Sequence, residues 1–248
     1  AKSLTGIMTK LHQCKYRFGL TGTLDGSQTH KLVLEGLFGT VEKVVSTKEL
    51  IDKNTLAKLK IKCIVLKHPS IRERMDYAEE IDYLVSKETR NKFILDLCKT
   101  ISGNTLCLFQ LVEKHGKILY DGMKGGENVY FVYGGTDTDQ REKIRGMVEG
   151  HTKSTTIASY GTFSTGINIR NINNIVLASP SKSKIRVLQS IGRGLRTSST
   201  KDSILIFDIA DDISYGERRN FTLNHFFERI NIYNEEQFNY EISKVKIK

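Results

Sequence analysis

The sequence predicts an α/β domain built on a parallel sheet with helices on both faces, and three observations predict it. Beyond Pro69, short apolar runs alternate regularly with stretches of helical spacing, the pattern of a sheet whose crossovers are helices. Two of those runs, Asn174-Ile-Val-Leu-Ala-Ser179 and Ser203-Ile-Leu-Ile-Phe207, are apolar throughout and flank a helical segment, as in a βαβ unit buried on both sides. The chain is also long enough, at 248 residues with 39% hydrophobic side chains, to bury a sizeable core.

Tyr16 to Leu20 reads as a short apolar strand that ends in Thr21-Gly22-Thr23-Leu24-Asp25, a turn carrying two hydroxyls. Thr29 to Phe38 has helical spacing through Leu32, Leu34 and Leu37, Val41 to Val45 is strand-like, and Thr47 is a suitable N-cap for the residues after it. Leu59 to Leu66 alternates and then becomes apolar. Pro69 follows it, and since the chain has only two prolines this one marks a linker. A helix from Ile71 to Ile101 comes next, then a strand from Thr105 to Gln110, a helix from Leu111 to Leu119 and a strand from Asn128 to Tyr133. A helix from Asp139 to Val148 and a strand from Ser154 to Ala158 lead into the βαβ unit. The tail from Asp212 to Lys248 carries Phe221, Phe226, Phe227 and Tyr233 at helical spacing. It is expected to pack on the domain, with a basic end at Lys244-Val-Lys-Ile-Lys248.

In such a sheet, ligands gather at the carboxyl ends of the strands. Ser154 to Ala158 is followed by Ser159-Tyr-Gly-Thr162-Phe-Ser164-Thr165-Gly166-Ile-Asn168, dense in hydroxyls and glycines. That composition suits a loop touching phosphates or sugars without reading bases, or equally a polar capped turn entering a short helix. Tyr133-Gly134-Gly135-Thr136 is a second turn of this kind. The crossover segment reads Gln189-Ser-Ile-Gly192-Arg193-Gly-Leu-Arg196. At roughly 100° per residue, Gln189, Arg193 and Arg196 share one arc of a helix while Leu188, Ile191 and Leu195 share another. Two forked, permanently charged guanidiniums on a packed helix can reach a polyphosphate, although the same pair also suits an ordinary surface helix. A net charge of +10 and pI near 9.3 favour a polyanionic partner. The excess is lopsided: residues 1–70 hold twelve Lys and Arg against five Asp and Glu.

Taken in order, these segments resemble the second half of a superfamily 2 helicase. Thr21-Gly22-Thr23 matches that family's third motif, Thr105 to Gln110 the fourth, Thr162 to Asn168 the fifth and Gln189 to Arg196 the sixth, so that the match covers nearly the whole chain. The resemblance implies a RecA-like fold. Residues 1–69 would end a first motor domain and its linker, residues 70–211 would form the second, and residues 212–248 a tail packed on it. It also implies roles. Arg193 and Arg196 would reach the γ-phosphate of ATP held by the other motor domain, with Arg196 the stronger candidate, and Gln189 would tie nucleotide state to the interface. Gly166, Asn168 and Gly192 would lie on the nucleotide side. Ser159, Thr162, Ser164, Thr165, Gln110 and Thr136 would face a nucleic-acid strand, and Thr21, Gly22 and Thr23 would couple hydrolysis to grip. Asn168 departs from the Asp that many relatives carry, which removes a charged contact to the ribose.

The implied cofactors are ATP and Mg²⁺, and the implied partners are branched or duplex DNA and the N-terminal RecA-like half of the same protein. The implied activity is ATP-driven unwinding or branch migration in recombination, repair and replication, in the cytoplasm. The sequence holds no Gly-x-x-x-x-Gly-Lys-Ser/Thr and no apolar strand ending in Asp-Glu, so both the phosphate cradle and the magnesium carboxylate must come from elsewhere. Two other classes stand beside this reading: a non-catalytic nucleic-acid-binding α/β domain and a small-molecule transferase. The transferase is disfavoured because no His, Asp or Cys constellation has plausible spacing. His115, the histidine nearest a strand end, reads as a polar surface residue, and Cys14, Cys63, Cys98 and Cys107 read as reduced, non-ligand cysteines. No metal site and no membrane span is expected.

Overall fold

Strands covered on both faces need side chains that are apolar whichever way they point. In the computed structural model, every residue of β2 (Asn104–Phe109), β4 (Ser154–Ser159) and β5 (Asn174–Leu177) is buried. With β1 (Lys58–Lys67), β3 (Val129–Val132), β6 (Ser203–Asp212) and β7 (Tyr240–Lys246) they form one seven-stranded sheet, parallel throughout, in the order β3-β4-β2-β5-β6-β1-β7. The structure describes residues 2–21, 28–69, 75–165, 169–180, 188, 190–192, 194–195 and 201–247, with the side chains of 2–3, 28–30 and 163–165 also outside the description. The chain divides into two compact units, Ala1–Ser46 and Thr47–Lys248.

The first unit holds α1 (Lys2–Lys10) and α2 (Gln28–Phe38). The strands expected at Tyr16 to Leu20 and at Val41 to Val45 do not form. A strand needs a second strand to pair with, and no β ladder includes either stretch among the described residues. Tyr16, Phe18 and Leu20 are accordingly 71%, 85% and 99% exposed.

In the second unit, α3 (Thr47–Asp52) precedes β1, and α4 (Tyr77–Ser86), α5 (Glu88–Thr100), α6 (Lys117–Asp121), α7 (Thr138–Gly150) and α8 (Tyr160–Thr165) punctuate the strands. The single helix expected over Ile71 to Ile101 is two, because Lys87 takes an extended conformation (φ −67°, ψ 110°) that ends α4 and starts α5. Asp76 and Glu79 close a capping box at the start of α4. The stretch after β2 begins with one wide turn, Val112–Gly116, before α6. Two boundaries also move. The run Leu59 to Leu66, expected ahead of a linker at Pro69, is β1 inside the sheet between β6 and β7, so the second unit starts at Thr47. The tail packs as expected through α9 (Phe221–Glu235), but its basic end is the edge strand β7, carrying Lys244 and Lys246.

Pleating sorts the strands' side chains between two cores. Ile61, Cys63, Val65 and Ile206 point to one, where Ile144 and Val148 of α7 and Phe226 and Ile230 of α9 meet them. Ile64, Leu66, Phe207 and Ile209 point to the other, against Ile94 and Cys98 of α5 and Leu119 of α6. Strand β6 places a carboxylate in each layer. Asp208 accepts from Arg229 of α9 (Nη2–Oδ1 2.7 Å, Nε–Oδ2 2.9 Å) and from the Tyr233 hydroxyl at 2.8 Å, while Asp211 accepts from Arg90 of α5. Burial opposes the Arg229 charge, but Asp208 outweighs it and holds that guanidinium above its ordinary pKa. The N-terminus of α9 is closed from outside: the buried Glu80 carboxylate accepts from the backbone N–H of Phe221 (2.9 Å) and Thr222 (2.6 Å), where the helix dipole favours an anion.

Replacing Arg229 by Met leaves Asp208 buried without its cation. We expect it to lower unfolding free energy by about 3–5 kcal/mol, measured by urea denaturation against Phe227→Met, an exposed neighbour expected to change it by less than about 1 kcal/mol.

Candidate functional site

The carboxyl ends of β1, β2, β4, β5 and β6 are joined by buried polar side chains. Ser179, just past β5, is the hub. Its hydroxyl accepts from the Gln110 N–H at 3.1 Å and lies 2.8 Å from His115 Nδ1, while its carbonyl accepts from the Tyr160 hydroxyl at 3.0 Å. One residue earlier, the Ala178 carbonyl accepts from Arg90 Nη2 at 2.7 Å. Arg90 Nε also donates to both oxygens of Asp211 at 2.9 and 3.0 Å, and His68 Nε2 lies 2.9 Å from the same carboxylate. Burial alone would raise the Asp211 pKa. The charge of Arg90 and the hydrogen bonds from His68 and Arg90 outweigh it and hold the carboxyl below its usual value.

His115 corrects a sequence expectation. It is fully buried where a surface residue was expected, because the wide turn Val112–Gly116 folds it back under the end of β2. Burial, reinforced by the Arg90 charge, pushes its pKa from 6.5 down to about 3, so the ring is neutral at physiological pH. Its Nε2 has no hydrogen-bond partner among the described residues.

Two hydroxyls expected to face nucleic acid face each other. Ser159 Oγ lies 2.7 Å from Thr162 Oγ1 and accepts from the Thr162 N–H at 3.3 Å, so the pair caps the start of α8, and both residues are buried. Thr136 is similarly internal. Its Oγ1 accepts from the Tyr133 N–H at 3.1 Å, and Arg141 donates to the carbonyls of Thr136 (2.7 Å) and Gly134 (3.0 Å). Gln110 keeps an exposed side chain at the end of β2. Ser164 and Thr165 lie in α8, and nothing is described of their side chains. Thr21 is exposed in the first unit, while Gly22, Thr23, Gly166 and Asn168 lie outside the described residues.

The crossover segment is helical at residues 188, 190–192 and 194; Gln189, Arg193 and Arg196 lie outside the described residues. Ile191 and Leu195 are buried and Leu188 half-buried, so the arc assigned to the core is in the core. The two glycines differ. A Cβ on Gly194 would stand 2.1 Å from Ile204 Cδ1 and 2.8 Å from Ile175 Cδ1, so this turn lies directly on β5 and β6. A Cβ on Gly192 would meet nothing within 4 Å among the described residues, and the residue is exposed. Two further contacts hold the end of the segment: the Ala57 N–H donates to the Leu195 carbonyl at 2.9 Å, and the buried Lys201 Nζ donates to the Gly194 carbonyl. Burial lowers the Lys201 pKa to about 8. Among the described residues, no three His, Cys, Asp or Glu side chains could together hold a metal ion, and no helix is long and apolar enough to cross a membrane.

Residues 76–198 match the helicase conserved C-terminal domain. Over 99% of its length, the chain is 33% identical to the ATP-dependent DNA helicase UvsW of Enterobacteria phage T4. The chain belongs to the superfamily 2 helicases. It spans 52% of UvsW, and it corresponds to the C-terminal half of such a motor. The crystal structure of T4 UvsW superposes with a TM-score of 0.66 at 32% identity, covering 99% of this chain and 51% of that one. A Type ISP restriction-modification enzyme, LlaBIII, bound to DNA (TM-score 0.60, 12% identity, 94% of this chain and 18% of that one) shares the fold. So does S. cerevisiae Dbp5 bound to RNA and ADP BeF3 (TM-score 0.51, 15% identity, 91% of this chain and 50% of that one). The sheet is thus RecA-like. Sequence reasoning missed Arg90, Asp211, His68 and Ser179, which sit far apart in the chain. One signal was available: a carboxylate pair, Asp208 and Asp211, inside an otherwise apolar strand.

Two outcomes test this geometry. Gly194→Ala should destabilise the protein by about 1–3 kcal/mol through overpacking. Gly192→Ala should be neutral or stabilising by up to about 1 kcal/mol, since its Cβ meets nothing and Ala favours helix; thermal unfolding of both variants reads the difference. His115 has a folded pKa below its unfolded value, so its contribution is complete above pH 6.5 and is lost as pH falls towards 3. At pH 5 the loss is about 2 kcal/mol, and the difference in unfolding free energy between pH 7.5 and pH 5, measured by urea denaturation, should shrink by that amount in His115→Asn.

Proposed function

We propose that this chain is the C-terminal motor half of an ATP-dependent DNA helicase or translocase that unwinds or branch-migrates branched DNA in recombination, repair and replication, working in the cytoplasm. The observation that carries the reading is the segment 188–195. Its apolar arc is buried on β5 and β6 while Gly192, on the same turn, stands open to solvent. By helical spacing in the sequence, Gln189, Arg193 and Arg196 share the other arc of such a segment, and we assign that arc to a ligand held by another domain. Mg²⁺-ATP would supply the phosphoanhydride bond, bound mainly by the N-terminal RecA-like half. This chain's part is to place Arg196, with Arg193, against the charge that develops on the γ-phosphate, which in an arginine finger is worth roughly 10³ to 10⁵ in turnover. Gln189, Gly192, Gly166 and Asn168 complete the nucleotide side.

We assign the nucleic-acid side to Gln110, Ser164 and Thr165. Ser159 and Thr162 hold α8 in place through their mutual hydrogen bond, and Thr136 holds its turn; all three act as supports behind that surface. Thr21, Gly22 and Thr23 belong to the end of the first motor domain and couple the two activities. The partners are then DNA, branched or duplex, and the N-terminal half.

The test is DNA-stimulated ATP hydrolysis by the complete protein, wild type against Arg196→Ala, with binding to a branched DNA followed in parallel. We expect turnover to fall by at least about 10³-fold with DNA affinity within twofold, and residues 1–248 alone to show negligible hydrolysis. Unchanged turnover with weakened, salt-sensitive binding would instead make this a domain whose arginines grip DNA phosphates.

A further inference from the structure

A lysine inside a protein is costly unless its ammonium has partners, and Lys201 is 3% exposed with one described acceptor, the Gly194 carbonyl. We propose that Lys201 is a positioning residue for the arginine-bearing segment, fixing where Arg193 and Arg196 are presented; the inference rests on the finger reading above. Three constraints meet on two residues. The Gly194 Cα is pressed against Ile204 and Ile175 with no room for a side chain, its carbonyl accepts from Lys201, and the next carbonyl, of Leu195, accepts from the Ala57 N–H.

The last carbonyls of a helix have no partner within it and must find donors outside, and a cation there is also favoured by the helix dipole. Lys201 and Ala57 supply those donors from the entries to two strands. Ala57 leads into β1, and Lys201 stands two residues before β6. β1 and β6 pair in register from Lys58↔Ser203 onward, so both donors are fixed by one ladder. Gly194 and Leu195 lie between Arg193 and Arg196 in the chain. Clamping their carbonyls fixes the two residues between those arginines, while leaving Lys201 itself turned into the protein.

A positioning residue should affect turnover more than binding. In the complete protein, Lys201→Met is expected to lower kcat for DNA-stimulated ATP hydrolysis on the order of 10- to 100-fold, the effect of misplacing a reacting group by about an ångström. KM for ATP and Kd for branched DNA should stay within twofold. Lys201→Arg, which can still donate to the carbonyl, should recover kcat to within about threefold of wild type. Should Lys201→Met fail to fold, Lys201→Gln, one bond shorter, is expected to show the same kcat loss. Wild-type kcat in Lys201→Met or Lys201→Gln overturns the proposal, as does a loss that Lys201→Arg fails to restore or that falls on KM and Kd. The parallel Arg196→Ala separates the two claims. Loss of turnover in Arg196→Ala with full turnover in Lys201→Met sinks only the positioning role, whereas unaffected turnover in Arg196→Ala sinks the finger reading on which it rests.

Discussion

The second unit depends on β6 carrying two buried aspartates three residues apart. On a pleated strand that spacing sends the two carboxylates to opposite faces, and each must find a cation or carry an uncompensated charge in the core. Asp208 finds Arg229 and Asp211 finds Arg90. One helix is thereby keyed to each face of a single central strand, α9 on one side and α5 on the other, at one axial position each. Apolar packing alone would let either helix slide by a turn with little penalty. A buried guanidinium tied to a carboxylate of that strand does not allow it.

From that keying the strand ends follow. Arg90, once locked on Asp211, also holds the Ala178 carbonyl, which puts Ser179 where Gln110, His115 and Tyr160 meet it. The ends of β2, β4 and β5, the places where a doubly wound sheet does its chemistry, are therefore joined side by side through polar atoms shielded from water. Gln110 is exposed at the rim of this layer, just past β2, and α8 starts from the Ser159–Thr162 cap at the end of β4.

Much of this was legible in the sequence. The apolar runs that form β5 and β6, with the alternation of strands and helices, announced a parallel sheet, and the spacing of Leu188, Ile191 and Leu195 assigned the inner face of the crossover segment correctly. What escaped were pairings that sequence distance hides. Arg90 and Asp211 belong to different helical and strand patterns, and neither hints at the other. His115 was misjudged because one extra residue in the turn after β2 rotates its side chain inward, and helical periodicity does not register such a turn. Ser159 and Thr162 have the composition of a phosphate loop and of a helix cap alike, and geometry decided for the cap. Pro69 suggested a boundary, yet Leu59 to Leu66 lies before it and is an inner strand of the sheet. The stretch Leu4, Ile7, Met8 and Leu11 had the spacing of α1 all along. Tyr16, Phe18 and Leu20 read as a strand correctly by pattern and wrongly by outcome, since alternation cannot supply the neighbour a strand requires.

The place of β1 bears on how the protein is made. Its neighbours are β6 and β7, so Lys58 pairs with Ser203 and Ile61 with Tyr240. A chain emerging from the ribosome exposes Ile61, Cys63, Val65 and Leu66 long before either partner has been synthesised, and closing so long a loop is slow. During that interval the apolar strand has two bare edges. Helices α4 to α7 and strands β2 to β5 can assemble first around their local crossovers, leaving a slot beside β5 that only β6 can fill. β6 and β7 thus complete the sheet, and interruption of synthesis ahead of β6 would leave β1 unpaired and prone to aggregate.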